Sequence, residues 1–261
     1  MKKTQLILSI TGLLLVVLIF QLPRSVVEND KLQEVTQQEE HSFEMPEEVQ
    51  SQLLALKAAF NTEIDLVKKT NFAHSVAQQY LDYGLLDSAV SYAEKIEELE
   101  IGAERQLSDI YFTAFQRSAS ADEGTEYASE ARKLLTKLLE KDPEDYFLKN
   151  RLAMTYVASE NPMKGILMLR EIVAEDATNR QAILNLGLLS IQSSQYDKAL
   201  ERFKTLVQLD SNDHEAKLYL AVAMLELSQE DQARLLLESI TSSEDSIPVI
   251  KSMALDYLES I

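Results

Sequence analysis

Apolar residues in the second half of the chain recur at three- and four-residue steps. Between Arg180 and Asp213, Ile183, Leu186, Gly187 and Leu189 fall on one side of a helix, and Ala199, Phe203, Leu206 and Val207 on one side of another. The polar triplet Ser193-Ser194-Gln195 separates them. This spacing belongs to helix and not to strand, so the stretch predicts a helical hairpin. Such a hairpin cannot bury its apolar face alone and needs copies of itself on either side.

Copies are present. A shift of 34 residues upstream, to Tyr146, brings Leu152, Ala153, Tyr156, Gly165, Leu169 and Ile172 into the equivalent places. The same shift downstream, to His214, brings in Leu220, Ala221, Met224, Ala233, Leu237 and Ile240. From Thr70 the pattern appears again as Ala73, Val76, Ala77, Tyr80, Gly84, Ala89, Ala93 and Ile96. Between Leu99 and Asp145 it is less regular. Ala131, Leu135 and Leu138 mark a second helix that ends at Asp142-Pro143, a first helix lies within Leu107 to Arg117 in an ambiguous register, and Ser118 to Thr125 is expected to project as a loop. Ser246 to Ile261 predicts a closing helix with Ile250, Met253, Ala254 and Tyr257 inward and Asp256 and Glu259 keeping its outer face wet. Upstream, Val49, Leu53, Leu56, Phe60, Ile64 and Val67 predict a helix over residues 47–69. It is either an amino-terminal helix packed on the first repeat or a coiled-coil seam, and its shortness favours packing.

The hairpin resembles the tetratricopeptide repeat, a helix pair of about 34 residues. The family's large apolar residue, leucine and small residue on the first helix are matched by Ile183, Leu186 and Gly187. Its small, aromatic and apolar residues on the second helix are matched by Ala199, Phe203 and Leu206. Ser190 stands where the family usually has Tyr, and Ser211 where it usually has Pro. The resemblance implies an all-α solenoid of antiparallel helix pairs over residues 70–261, with Gly187 and Ala199 facing each other where their helices cross. It also implies a concave groove, lined by first helices, that binds protein or peptide partners. The side chains expected there are Phe147, Asn150, Met154, Leu184, Leu188, Ile191, Leu218, Val222 and Leu225. The set is mainly apolar and suits an apolar or amphipathic segment, although some of its members also pack between repeats. The Lys, Asn and Arg clamp by which some family members hold acidic carboxyl termini is not reproduced. Asn150, Arg151 and Asn185 are fragments of it, and Glu215 has the wrong sign.

The amino terminus differs in kind. Met1-Lys2-Lys3 precedes an apolar run from Leu6 to Leu22, about 25 Å of helix at about 1.5 Å per residue. A single transmembrane anchor is expected over residues 1–24, followed by an acidic polar linker over 25–46. A cleaved signal peptide would end in small residues, whereas this run ends Leu18-Ile19-Phe20-Gln21-Leu22-Pro23. Lys2 and Lys3 place that end in the cytoplasm. The repeats are therefore expected outside a bacterial cytoplasmic membrane, on its periplasmic or extracytoplasmic side.

Composition narrows the function. The formal net charge of −18 over 261 residues disfavours nucleic-acid binding, which needs a basic face. With no cysteine there is no disulfide, thiolate site or lipid-bearing cysteine. His41, His74 and His214 lack metal-ligand spacing, and His74 and His214, on repeat helices, read as surface residues. The glycines are scattered and form no phosphate loop. No catalytic, cofactor or metal site is expected, and the chain does not read as an enzyme. The expectation is a membrane-tethered scaffold that binds protein partners through its groove and assists assembly of an envelope complex. The alternative is a structural protein that self-associates.

Overall fold

The structure, a computed structural model, describes residues 45–99 and 102–261. They form twelve helices: α1 (Glu47–Thr62), α2 (Leu66–Asp82), α3 (Leu86–Glu97), α4 (Glu104–Arg117), α5 (Ala121–Lys141), α6 (Tyr146–Val157), α7 (Pro162–Glu175), α8 (Arg180–Gln192), α9 (Tyr196–Leu209), α10 (His214–Glu226), α11 (Glu230–Ser242) and α12 (Pro248–Glu259). Among the described residues there is no strand, and no helix is long and apolar enough to cross a membrane. The expected anchor and all but the end of its linker lie outside them. The described residues divide into two compact units, 45–138 and 139–261.

In the unit 45–138 the places set by the repeat pattern lie inside. Ala73, Val76, Ala77, Ala89 and Ala93 are fully buried. Two expectations fail, each because of a cap. The single helix over residues 47–69 is broken at Glu63, whose backbone is extended (φ −71°, ψ 133°). Glu63 Oε1 accepts from the amides of Ile64 and Asp65, both at 3.0 Å, and Asp65 then caps α2 by accepting from Lys68 N at 2.9 Å. Ile64 and Val67 continued the helical period but stand 90% and 64% exposed. Likewise, Ser118 to Thr125 is not a projecting loop. Only Ser118 to Ser120 form a turn, and Ala121 opens a 21-residue helix. Ser120 and Glu123 have the spacing of a capping box, and Glu123 N donates to Ser120 Oγ at 3.4 Å.

In the unit 139–261 the first helices α6, α8, α10 and α12 begin at Tyr146, Arg180, His214 and Pro248, 34 residues apart each time. The residue just before three of them is the cap. Asp145, Asn179 and Asp213 accept through their side chains from the amides of Leu148, Ala182 and Ala216, satisfying donors that a helix start leaves unpaired. The core of this unit runs through Ile183, Phe203, Leu206, Leu220, Leu237 and Ile240 to Ile250, Ala254 and Tyr257 of α12. Gly187 lies among these residues, and the atoms nearest to it across the crossing are those of Phe203. A Cβ there would meet Cζ of Phe203 at 2.6 Å, so the missing side chain makes room for a ring. At Gly165 the approach is to backbone, since a Cβ there would lie 2.2 Å from the backbone oxygen of Ala153. On the closing helix Asp256 and Glu259 reach water as expected, and Leu255 beside them is also 50% exposed.

Three hairpins turn through the left-handed region: Gly84 (φ 71°), Ser194 (φ 56°) and Ser228 (φ 59°). In each, the next amide bonds back five residues, Leu85 to Tyr80, Gln195 to Ser190 and Gln229 to Met224, the pattern of a Schellman cap. A side chain in this conformation costs roughly 1–2 kcal/mol, while the greater freedom of unfolded glycine offsets about 0.5–1 kcal/mol. Ser194→Gly and Ser228→Gly are each expected to stabilise the protein by about 0.5–1 kcal/mol. Thermal denaturation of the single and double variants checks this, with the two gains adding.

Candidate functional site: the first-helix face of residues 139–261

Neighbouring first helices touch along this unit, α6 against α8 and α8 against α10, so their outward residues form one face. The structure splits the expected lining in two. Leu188, Ile191, Val222 and Leu225 rest half-buried on the core, and Phe147 is 53% exposed. Asn150, Met154, Leu184 and Leu218 are buried, Leu218 completely. The reason is position along the helix. Leu184 and Leu218 lie one turn before Leu188 and Val222 and belong to the core shared by α8 and α10. Asn150 is held inside the array by its own Nδ2, which donates to the Tyr146 carbonyl at 2.8 Å and to Asn179 Oδ1 at 3.2 Å. These four residues present no face to a partner. What remains is a strip of four aliphatic side chains near the carboxyl ends of α8 and α10, with Phe147 at the other end of α6 under the Arg151 guanidinium at 4.2 Å.

Charged groups hold the face in shape. Arg180 donates from Nε to Asp213 Oδ2 at 2.7 Å and from Nη2 to Asp213 Oδ1 at 2.9 Å and Glu215 Oε2 at 2.7 Å. Burial pushes the Asp213 carboxyl up, but the bonds from Arg180 and from the Ala216 amide outweigh it, and the group sits below the ordinary carboxylate range. On the other side of α8, Arg202 donates from Nη1 to the Leu186 carbonyl at 3.0 Å and also to Ser190 Oγ. This explains why serine serves where the family usually has tyrosine: the guanidinium reaches into that place from α9. Periodicity shows only apolar places, so it did not reveal this clasp. A charged residue facing a small hydroxyl 12 residues earlier was the signal available.

Two histidines expected at the surface are half-buried. His74 Nε2 and His214 Nδ1 are buried without a hydrogen-bond partner, while His214 Nε2 lies 3.1 Å from Ser243 Oγ. Burial, opposed by the charge of Asp109, holds His74 below the usual imidazole value. Among the described residues no group of three or more His, Asp or Glu side chains could hold a metal ion. A notch of about 300 Å³ lies among Leu139, Pro143, Met168 and Ile172. Lys149 at its edge pairs with Glu144 at 3.7 Å and Glu175 at 3.5 Å, so its charge is already balanced.

The fold defined by these helix pairs is the tetratricopeptide-repeat fold. Residues 190–252 match the tetratricopeptide repeat family model. A tetratricopeptide repeat protein from Parabacteroides merdae shares the fold at 18% identity, over 81% of this chain and 85% of that one, with a TM-score of 0.52. Weaker likenesses are to MamA from Desulfovibrio magneticus (18% identity, 68% and 97% of the two chains, TM-score 0.47) and to YrrB, a TPR protein with an unusual peptide-binding site (20% identity, 78% and 96%, TM-score 0.42). No curated protein matches the sequence.

Proposed function

We propose that this chain is a non-catalytic scaffold that binds a protein segment on the first-helix face of residues 139–261. The observation that carries the reading is the aliphatic strip Leu188, Ile191, Val222 and Leu225, which stays half-open after the core has closed beneath it. A partner would gain about 25 cal/mol per Å² of apolar surface covered, before the costs of association. The run from Leu6 to Leu22 supports tethering to a bacterial cytoplasmic membrane with the repeats on the extracytoplasmic side, where the scaffold would assist assembly of an envelope complex. Burial of Leu218 rules it out as a test site, because a charge there would unfold the repeat. Leu188→Glu with Leu225→Glu is the better pair. With a photo-crosslinking residue at Ile191 in cells, the membrane fraction is expected to yield a discrete heterologous adduct that this pair abolishes without lowering the melting temperature by more than a few degrees. An adduct only with a second copy of the chain would favour self-association, and recovery of the chain in the soluble fraction would remove the tether.

A further inference from the structure

The 34-residue period of the first helices also fixes what lies at the end of the strip. Met154 and Val157 on α6, Leu188 and Ile191 on α8, Val222 and Leu225 on α10, and Asp256 and Glu259 on α12 occupy the same two places on successive helices. Read across the helices, the first pair is buried, the next two pairs are half-open aliphatics, and the last pair is two carboxylates. Asp256 is half-exposed and Glu259 exposed. The repeat thus changes chemistry at one edge, in a chain whose net charge is already −18.

We infer that the occupant of this face is a peptide segment whose apolar residues are flanked, on the side lying over α12, by lysine or arginine. This rests on the scaffold reading and adds a charge at a stated edge to it. Aliphatic side chains over Leu188, Ile191, Val222 and Leu225 supply the burial, and a basic residue meets Asp256 and Glu259. An apolar segment ending in acid would be repelled at the same place. Packed helices lie about 8–10 Å apart and an extended chain advances about 3.3 Å per residue. An extended occupant therefore moves from one helix to the next in about three residues, so its basic group falls about three residues beyond its second apolar anchor.

Selection from a random displayed-peptide library against the full-length chain in nanodiscs tests this. The expected enrichment is two aliphatic or aromatic residues with Lys or Arg about three residues to one side of them. Asp256→Asn with Glu259→Gln is expected to erase the basic preference and weaken a selected peptide about tenfold at low salt. The same variant should leave unchanged the binding of that peptide's Lys→Gln analogue. Enriched peptides that are apolar without basic residues, or a basic preference that survives the double variant, overturn the inference and leave the scaffold reading standing. If no peptide is enriched and the full chain is an oligomer split by Leu188→Glu with Leu225→Glu, the face belongs to a second copy and both readings fall.

Discussion

Gly165→Ala is expected to be among the most damaging single substitutions in the chain, although it adds one methyl group and improves helix propensity. Alanine is favoured over glycine within a helix by about 1 kcal/mol. Against that, the new Cβ would lie 2.2 Å from the Ala153 backbone oxygen, 2.7 Å from Val157 N and 2.8 Å from Val157 Cγ2. Two of these atoms are main chain inside α6 and cannot swing away. To reach ordinary contact, α6 and α7 must separate by more than about 1 Å, which loosens Leu169 and Ile172 from the core they fill. Overpacking costs about 1–3 kcal/mol and sometimes more. The expected net loss is about 3 kcal/mol, or roughly 6–12 °C in melting temperature for a chain of this size. Gly187→Ala should cost less, because it meets the ring of Phe203 and no backbone, and Phe203→Leu in the same chain should recover part of the loss. Thermal unfolding of the three variants beside the wild type measures this. Equal melting points for the two alanine variants would mean that backbone approach does not set the order.

The second large effect is expected at Asp213, which does two things with one carboxylate. It caps α10 through Ala216 N at 3.0 Å and it grips Arg180, 33 residues earlier, with both oxygens. Loss of an N-cap costs about 0.5–2 kcal/mol, and a charge-assisted bidentate bond adds to that. Arg180 is nearly half exposed, so water recovers part of its loss, and Asp213→Ala is expected to cost about 2–3 kcal/mol. Asp213→Asn separates the two roles, because Asn179 makes the same cap one repeat earlier. It should cost about 1 kcal/mol. The pH dependence has a definite sign. The carboxyl is lowered on folding, so its contribution is complete above the unfolded value of about 3.9 and is lost as pH falls through the lower folded value. Urea titrations from pH 7 to pH 3 should show the wild-type advantage over Asp213→Asn shrinking only below about pH 4. An advantage that shrank between pH 5 and 7 would point to another group.

Most of the fold could be read from periodicity, because a helix pair repeats its small and large places and burial follows them. What periodicity misread were places where a cap outvoted it. Ile64 and Val67 keep step with Phe60, yet Glu63 and Asp65 supply side-chain acceptors that end one helix and start another. The serine-rich run from Ser118 looked like a loop, but Ser120 starts a helix there. The candidate face was half legible. Half-exposed and buried places on a first helix are one turn apart, and a list of apolar residues cannot separate Leu188 from Leu184. The distinction requires knowing where α8 meets its neighbours, which is a property of two helices together. The clasp of Arg202 on Ser190 was hidden for the same reason.

The caps at Asp145, Asn179 and Asp213 have a consequence for how such a chain can lengthen. Each stands one residue before its helix, and two of them are also bonded to the first helix of the preceding repeat, Asn179 to Asn150 and Asp213 to Arg180. Any 34-residue block copied from one cap to the next would carry its own start signal and its own fastening. Gene duplication could therefore add a rung without inventing a junction, and point mutation could afterwards tune each joint separately, neutral at one and ionic at the next.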